Sequence, residues 1–265
     1  MTKHFQPLFL SLLFSVSATV LAAQNKGTLH LITCIDIVND DISQGCRKDH
    51  ENAGELFKVV AQMGGMNYRP VNLHFDKIEV ESYINDFQCG PNDVVVLLYS
   101  GHGFRYDNDG DFWPWPFMYF CNREEMDIYS ETCELDLEDQ YDAIKEKNPR
   151  MSIVIGNSCN EVLDDEPAPA NAPVALENSA EAGQMFKGVE LFTRFQGHII
   201  VSASGPGQKA YTTDENGAYF IVELFKYIAE GLDAEQPTSW LNILEYTKSS
   251  VNDRNPDQTP MFKIE

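Results

Sequence analysis

Apolar residues fall into short, nearly continuous runs, separated by stretches with a helical beat. Residues 28–37 (TLHLITCIDI), 71–75, 93–99 (DVVVLLY), 152–155 (SIVI) and 198–203 (HIIVSA) are dense in β-branched and aliphatic side chains. Runs that are continuous rather than alternating predict strands buried on both faces. Between the first two, Ala53, Leu56, Phe57 and Val60 recur at helical spacing, with Asp49 in place as a cap and Gly64 and Gly65 as the stop. Ala218, Ile221, Leu224, Phe225 and Ile228 form a second helical stripe ending near Gly231. Residues 240–246 read as a shorter helix, and 259–264, after Pro and Asp turn signals, as a last strand.

Strands alternating with helices predict an α/β fold, a parallel sheet with helices on both faces. In such sheets ligands bind beyond the carboxyl ends of the strands, which singles out the segments after Tyr99, Ile155 and Ala203. Two regions fall outside this pattern. Residues 1–23 carry Lys3, an apolar run over 5–21 and small residues at Ala22 and Ala23, the order of a cleaved secretory signal. A membrane anchor is the competing reading, but the run is at the lower length limit of about 17 residues and contains Gln6, Pro7 and three serines. The expectation is one domain over 24–265, exported to the periplasm or secreted, with no stable membrane insertion once the signal is removed. The second region, about 162–186, is rich in Ala, Pro and acid without an apolar period, and reads as a flexible loop.

Charge narrows the partners. With 41 acidic against 19 basic residues, the net charge is −22, which argues against nucleic acid and anionic membranes. It suits a cationic ligand or, as readily, plain solubility. Six cysteines (34, 46, 89, 121, 133, 159) include no CxxC pair, so a structural zinc site is not expected. An exported chain could oxidise some of them, Cys121 with Cys133 being the pair expected.

The chemistry-bearing residues stand at two of the predicted strand ends. One strand ends in Tyr99-Ser100-Gly101-His102-Gly103, the next core strand in Gly156-Asn157-Ser158-Cys159-Asn160. A lone histidine after a strand is commonly a surface or capping residue, and a lone cysteine a small core hydrophobe. A His and a Cys at the carboxyl ends of neighbouring strands form what a cysteine nucleophile needs: a thiolate to attack a carbonyl and an imidazole to move the proton. Gly103 offers a backbone N–H without a side chain in the way, and with the N–H of Cys159 it reads as an oxyanion hole.

YSGHG resembles the histidine motif of metacaspases. The later strand-then-Cys resembles the nucleophile motif shared by caspases, metacaspases and legumains. Three weaker pieces agree in order: Gly45-Cys46-Arg47-Lys48-Asp49, residues 201–220 (VSASGPGQKAY…NGAYF), and Asp257-Gln258-Thr259-Pro260. The chain thus resembles the caspase/metacaspase type of cysteine peptidase from about Leu29 to its end. That resemblance implies a caspase-like three-layer α/β/α sandwich around a mainly parallel six-stranded sheet. It also implies hydrolysis of proteins or peptides without a required cofactor. Asp49, Ser100, Asn157 and Ser202 fall at its substrate-pocket positions. Metacaspases carry an Asp where this chain has Asn157 and a His where it has Asn160. The implied cleavage after Arg or Lys therefore has one pocket charge fewer. The plain alternative for Asp49 is a helix cap, and Arg47 beside it leaves an acidic specificity open.

Asp107, Asp109 and Asp111 make an acidic stretch after the histidine motif that reads as a weak calcium site or as a solvated turn; it fails the helix–loop–helix template. The aromatic run at 112–120 (FWPWPFMYF) has two prolines that forbid a helix, and reads as cleft lining or as a lid over the core, its closeness to His102 favouring the cleft. No Lys or Arg lies between Arg150 and Lys187, so self-cleavage of the loop would fall at Lys187, with Arg194 second. The rival reading is a catalytically inactive caspase-like binding protein. A different cysteine hydrolase ranks lower, since no GxCxG elbow is present.

Overall fold

The computed structural model describes residues 26–106, 114–125, 132–162 and 178–265. Its centre is a six-stranded sheet in the order β11-β8-β7-β3-β1-β2. These strands are β1 (Thr28–Ile35), β2 (Asn67–Leu73), β3 (Val94–Ser100), β7 (Met151–Asn157), β8 (Gly197–Ser202) and β11 (Met261–Ile264). All neighbours run parallel except β11, which is antiparallel to β8. Every residue of β3 and β7 is buried, which explains their unbroken apolar runs.

Alternation along the strands sends side chains into two cores. Leu29, Leu31, Val94, Val96, Leu98, Ile153 and Ile155 pack on one face with Ala53, Phe57 and Val60 of α1 (Ser43–Gly64). Helices α4 (Glu190–Thr193), α5 (Tyr219–Asp233) and α6 (Trp240–Arg254) cover the same face, and a two-stranded ribbon of β9 (Thr212–Thr213) and β10 (Gly217–Ala218) leads into α5. Ile32, Val95, Leu97, Tyr99 and Val154 pack on the other, against α2 (Lys77–Asp86) and α3 (Leu137–Glu146). The three-layer sandwich expected from the sequence is therefore the observed one.

Differences lie at the ends and edges. Helix α1 begins at Ser43, six residues before Asp49, so Asp49 is not its cap: it is an interior helical residue with no exposure. The aromatic run builds structure rather than a cleft. Phe117–Tyr119 is β5, the middle strand of a small antiparallel sheet with β4 (Gly103–Phe104) and β6 (Glu134–Asp136). Trp115, Met118 and Phe120 are buried in the second core and Tyr119 beneath the small sheet; Phe112 and Trp113 lie outside the described residues. A Cys121–Cys133 disulfide joins the ends of this hairpin. Of the loop expected at about 162–186, residues 163–177 lie outside the described residues, while residues 178–186 are anchored by Ser179 N–H on Ile264 O (2.8 Å), by a turn at Ala180–Gly183 and by burial of Ala182 and Phe186. Among the described residues no helix is long and apolar enough to cross a membrane.

Candidate active site

The sheet register sets the site. Ser100, the last residue of β3, pairs with Asn157, the last of β7, and with Ile35, the last of β1. His102 and Cys159 each lie two residues further, so the two side chains leave adjacent strands at the same level. Both line one cavity of about 190 Å³, with Cys46, Asn157, Ser158, Lys209, Ala210 and Ala218 among the other walls. The β1–β3 junction beside it is where the strand order turns back, the crevice position for α/β sheets.

The histidine loop is braced from below. The Tyr99 hydroxyl donates to the His102 carbonyl (2.6 Å) and accepts from the Tyr119 amide (3.1 Å). The Gly101 amide donates to Asn157 O (3.1 Å), tying the two loops together. Gly103 has no room for a side chain: a Cβ there would lie 2.6 Å from Ser158 Oγ and 2.7 Å from Phe117 O. Gly103→Ala is therefore expected to destabilise the fold by about 1–3 kcal/mol through overpacking, read as a lowered melting temperature. Wild-type stability would show that β4 shifts freely.

The nucleophile loop is fixed by its neighbours. Asn160, with no exposure, donates from Nδ2 to Pro114 O (2.8 Å) and from its amide to Gln208 O (2.8 Å). It stitches together the loops after β7 and β8. The Ala210 amide donates to Cys159 Sγ at 3.4 Å. Burial pushes the Cys159 thiol above its ordinary 9.0, against the pull of that contact. Burial also lowers His102 below 6.5, against the pull of Asp41 and Asp36. In both groups burial works against the charged form.

Behind the cavity wall sits Asp49. Its Oδ2 accepts from Ser100 Oγ (2.7 Å) and Asn157 Nδ2 (3.0 Å), its Oδ1 from the Ala218 amide (2.8 Å). Gly217, at φ +87°, permits that last bond, because a Cβ would collide with Asp49 Oδ1. Burial raises the Asp49 carboxyl to about 7, against the Ala218 and Ser100 hydrogen bonds. Among the described residues no cationic side chain pairs with it. Arg47, two residues earlier and so on the opposite side of α1, is exposed.

The structure brings His102, Cys159, Asn157, Ser100 and Asp49 together, and Gly103 beside them. It does not bring Ser202 into the cavity: this residue is fully buried, its Oγ bonded to Ser204 O (2.9 Å). Lys187 is exposed, just after Phe186, whose amide is held on Thr238 O (2.7 Å). Asp107, Asp109 and Asp111 lie outside the described residues.

Residues that the sequence did not single out complete the surroundings. Asp41 Oδ1 stands 3.4 Å from His102 Nε2 and Asp41 Oδ2 3.3 Å from Arg123 Nη1. Lys209 pairs with Glu161 at 3.2 Å on the cavity rim. Cys46 faces the same space, but burial raises its thiol to about 12, which keeps it protonated and unreactive.

Such an arrangement, a Cys and a His at the carboxyl ends of adjacent parallel strands in an α/β/α sandwich, defines a class of cysteine hydrolase. The family model for the caspase domain matches residues 31–265. The chain belongs to the caspase-domain family of cysteine peptidases, whose substrates are proteins. No curated protein matches it.

Proposed function

We propose that this chain is an exported cysteine endopeptidase that cuts after Arg or Lys, with Cys159 as nucleophile and His102 as general base and acid. The observation that carries this reading is the shared register: two adjacent core strands deliver both side chains to one cavity, with a carboxyl group directly behind its wall.

In the first step Cys159 Sγ attacks the scissile carbonyl carbon while its proton passes to His102. The oxyanion is held by the backbone N–H groups of Gly103 and Cys159. His102 then gives the proton to the leaving amine as the C–N bond breaks, leaving a thioester. Water, deprotonated by His102, attacks that thioester, and Sγ departs and regains the proton. No cofactor enters this cycle.

Specificity rests on Asp49, ionised as a basic side chain enters, with Ser100 and Asn157 orienting it. Peptides that differ only in the residue before the cut test this: Arg and Lys substrates should turn over, Asp and Asn substrates should not. Faster cleavage of Asp or Asn peptides overturns the pocket assignment. Asn157 and Asn160, where the resembling family carries Asp and His, favour the inactive binding protein as second reading. Labelling of Cys159 by a thiol-reactive peptidyl inhibitor that depends on His102 decides for the enzyme.

Export is supported by the Cys121–Cys133 disulfide, which suits an oxidising compartment. Intact mass of the protein in the periplasm or medium checks both the loss of residues 1–23 and the bond. Self-cleavage at Lys187 requires the Phe186–Thr238 bridge to open first; an identical single band for wild type and Cys159→Ala removes it. Calcium binding by Asp107, Asp109 and Asp111 is tested by calorimetry.

A further inference from the structure

His102 has an unexplained edge. Its Nε2 is buried and has no hydrogen bond of good geometry among the described residues. A purely structural buried histidine would have both ring nitrogens satisfied. Asp41 Oδ1 nevertheless stands 3.4 Å from Nε2, within ion-pair range but not aligned. Long, poorly aligned contacts that tighten on substrate binding are common in resting active sites.

We propose that Asp41 is a positioning residue for His102: its carboxylate holds Nε2–H and leaves Nδ1 to exchange protons with Cys159. This rests on the Cys–His reading given above.

The segment that carries Asp41 is held in place from several sides. Asp36, at the end of β1, accepts from the Val38 amide (2.9 Å), the Asn39 amide (2.9 Å) and Asn39 Nδ2 (2.7 Å). Asp36 is therefore committed to its own turn. Asn39 in turn reaches across to the disulfide hairpin: its Nδ2 donates to Cys121 O (3.2 Å) and its Oδ1 accepts from the Arg123 amide (2.8 Å). Arg123 then places a guanidinium on the free side of the Asp41 carboxylate (3.3 Å). The turn after β1 and the disulfide-closed hairpin thus grip each other, and Asp41 is the carboxylate they present to the histidine.

Charge supports the same role. The groups around His102 are Asp36 and Asp41 after β1, Cys46 on α1, Arg123 on the hairpin, Cys159 and Glu161 after β7, and Lys209 after β8. Asp41 and Asp36 favour the imidazolium, while Arg123 and burial oppose it. When Sγ gives up its proton, the new positive charge on His102 lies against Asp41. A neutral amide at that position would hold the ring but not stabilise the charge.

The test is alkylation of Cys159 by iodoacetamide, followed by mass spectrometry across pH, in wild type, Asp41→Asn, Asp41→Glu, His102→Ala and the Asp41→Asn/His102→Ala double variant. Thermal melts confirm that each is folded. Asp41→Asn is expected to slow alkylation at neutral pH by about 10-fold or more, a part of the 10²–10⁴ that a positioned acid–base group supplies. It should also move the acid limb of the rate–pH profile to lower pH, and Asp41→Glu should recover part of the rate. Adding Asp41→Asn to His102→Ala should change nothing further. An Asp41→Asn rate and profile equal to wild type overturn the inference, as does an equal slowing in the His102→Ala background, which marks Asp41 as acting on Cys159 without the histidine. Wild type and His102→Ala alkylating alike would sink the Cys–His reading itself, and this inference with it.

Discussion

Cys159→Ala is expected to lower turnover of an Arg or Lys peptide by roughly 10⁴-fold or more, with the fold intact. In the proposed cycle Sγ is the atom that forms the covalent intermediate, and no second thiol is placed to substitute for it. Cys46 lines the same cavity, but its thiol stays protonated up to about pH 12. The structural cost should be small. Cys159 contacts the Ala210 backbone at 3.4 Å through a weak sulfur acceptor, and alanine keeps the Cβ. A melting temperature near that of wild type, with the loss of activity, separates chemistry from folding. His102→Ala should cost a comparable factor. The double variant should be no slower than either single one, because the two side chains act in one proton transfer. Two losses that multiply, or residual activity in Cys159→Ala near that of wild type, would show that another nucleophile carries the reaction.

The parts of this site that the sequence displays are those built from local patterns. The strands β3 and β7 are legible because burial on both faces leaves no polar position to break the run. Their ends carry His102 and Cys159, so the register that aligns them follows once the strands are parallel neighbours. Other features depend on contacts distant in sequence. Asp49 looks like a helix cap because a capping residue stands just before a helical stripe. The helix begins earlier, through Ser43 to Cys46, where small and polar residues give no apolar beat and no side chain caps the end. The lower sheet edge is similar: β2 starts at Asn67, but its exposed positions and Pro70 hide it until Val71. Trp115 and Met118 look like cleft lining by closeness to His102, yet the antiparallel pairing of β4 with β5 turns them into the core. Asp41 sits in a run of polar residues with no motif of its own, and only the Asn39–Arg123 contacts bring it to the histidine.

Asp49→Asn is expected to stabilise the protein above pH 7 and to remove most of its cleavage after Arg and Lys. Burial raises the Asp49 carboxyl from its ordinary 3.8 to about 7. A group whose folded value is raised in this way ionises more readily in the unfolded chain. Asp49 therefore costs no stability below about pH 4, costs progressively more between about pH 4 and 7, and the full amount above that. At about 1.4 kcal/mol per tenfold change in proton affinity, the cost is up to about 4 kcal/mol. The asparagine variant escapes it if its amide finds partners, and the pocket supplies them. Asn157 Oδ1 has no hydrogen bond among the described residues, while its Nδ2 faces Asp49 and Ser100 Oγ. Turning the Asn157 amide over would place that oxygen against the new Nδ2 at position 49, and Ser100 Oγ–H would donate to it as well. The remaining oxygen at position 49 would keep the Ala218 amide. The same change removes the carboxylate behind the cavity wall. Losing one buried charge partner, worth about 3–5 kcal/mol, corresponds to roughly 10²–10⁴-fold in kcat/KM for a basic peptide. Wild type should show two rises with pH on such a peptide, one below 6.5 as His102 loses its proton and one near 7 as Asp49 ionises; Asp49→Asn should keep only the first. Melting curves at pH 5 and pH 8, with the pH profiles, check both halves. A variant less stable than wild type at pH 8 would show that burial does not strain the carboxyl group, and one that retains its preference for Arg and Lys would show that the carboxyl group is not the source of specificity.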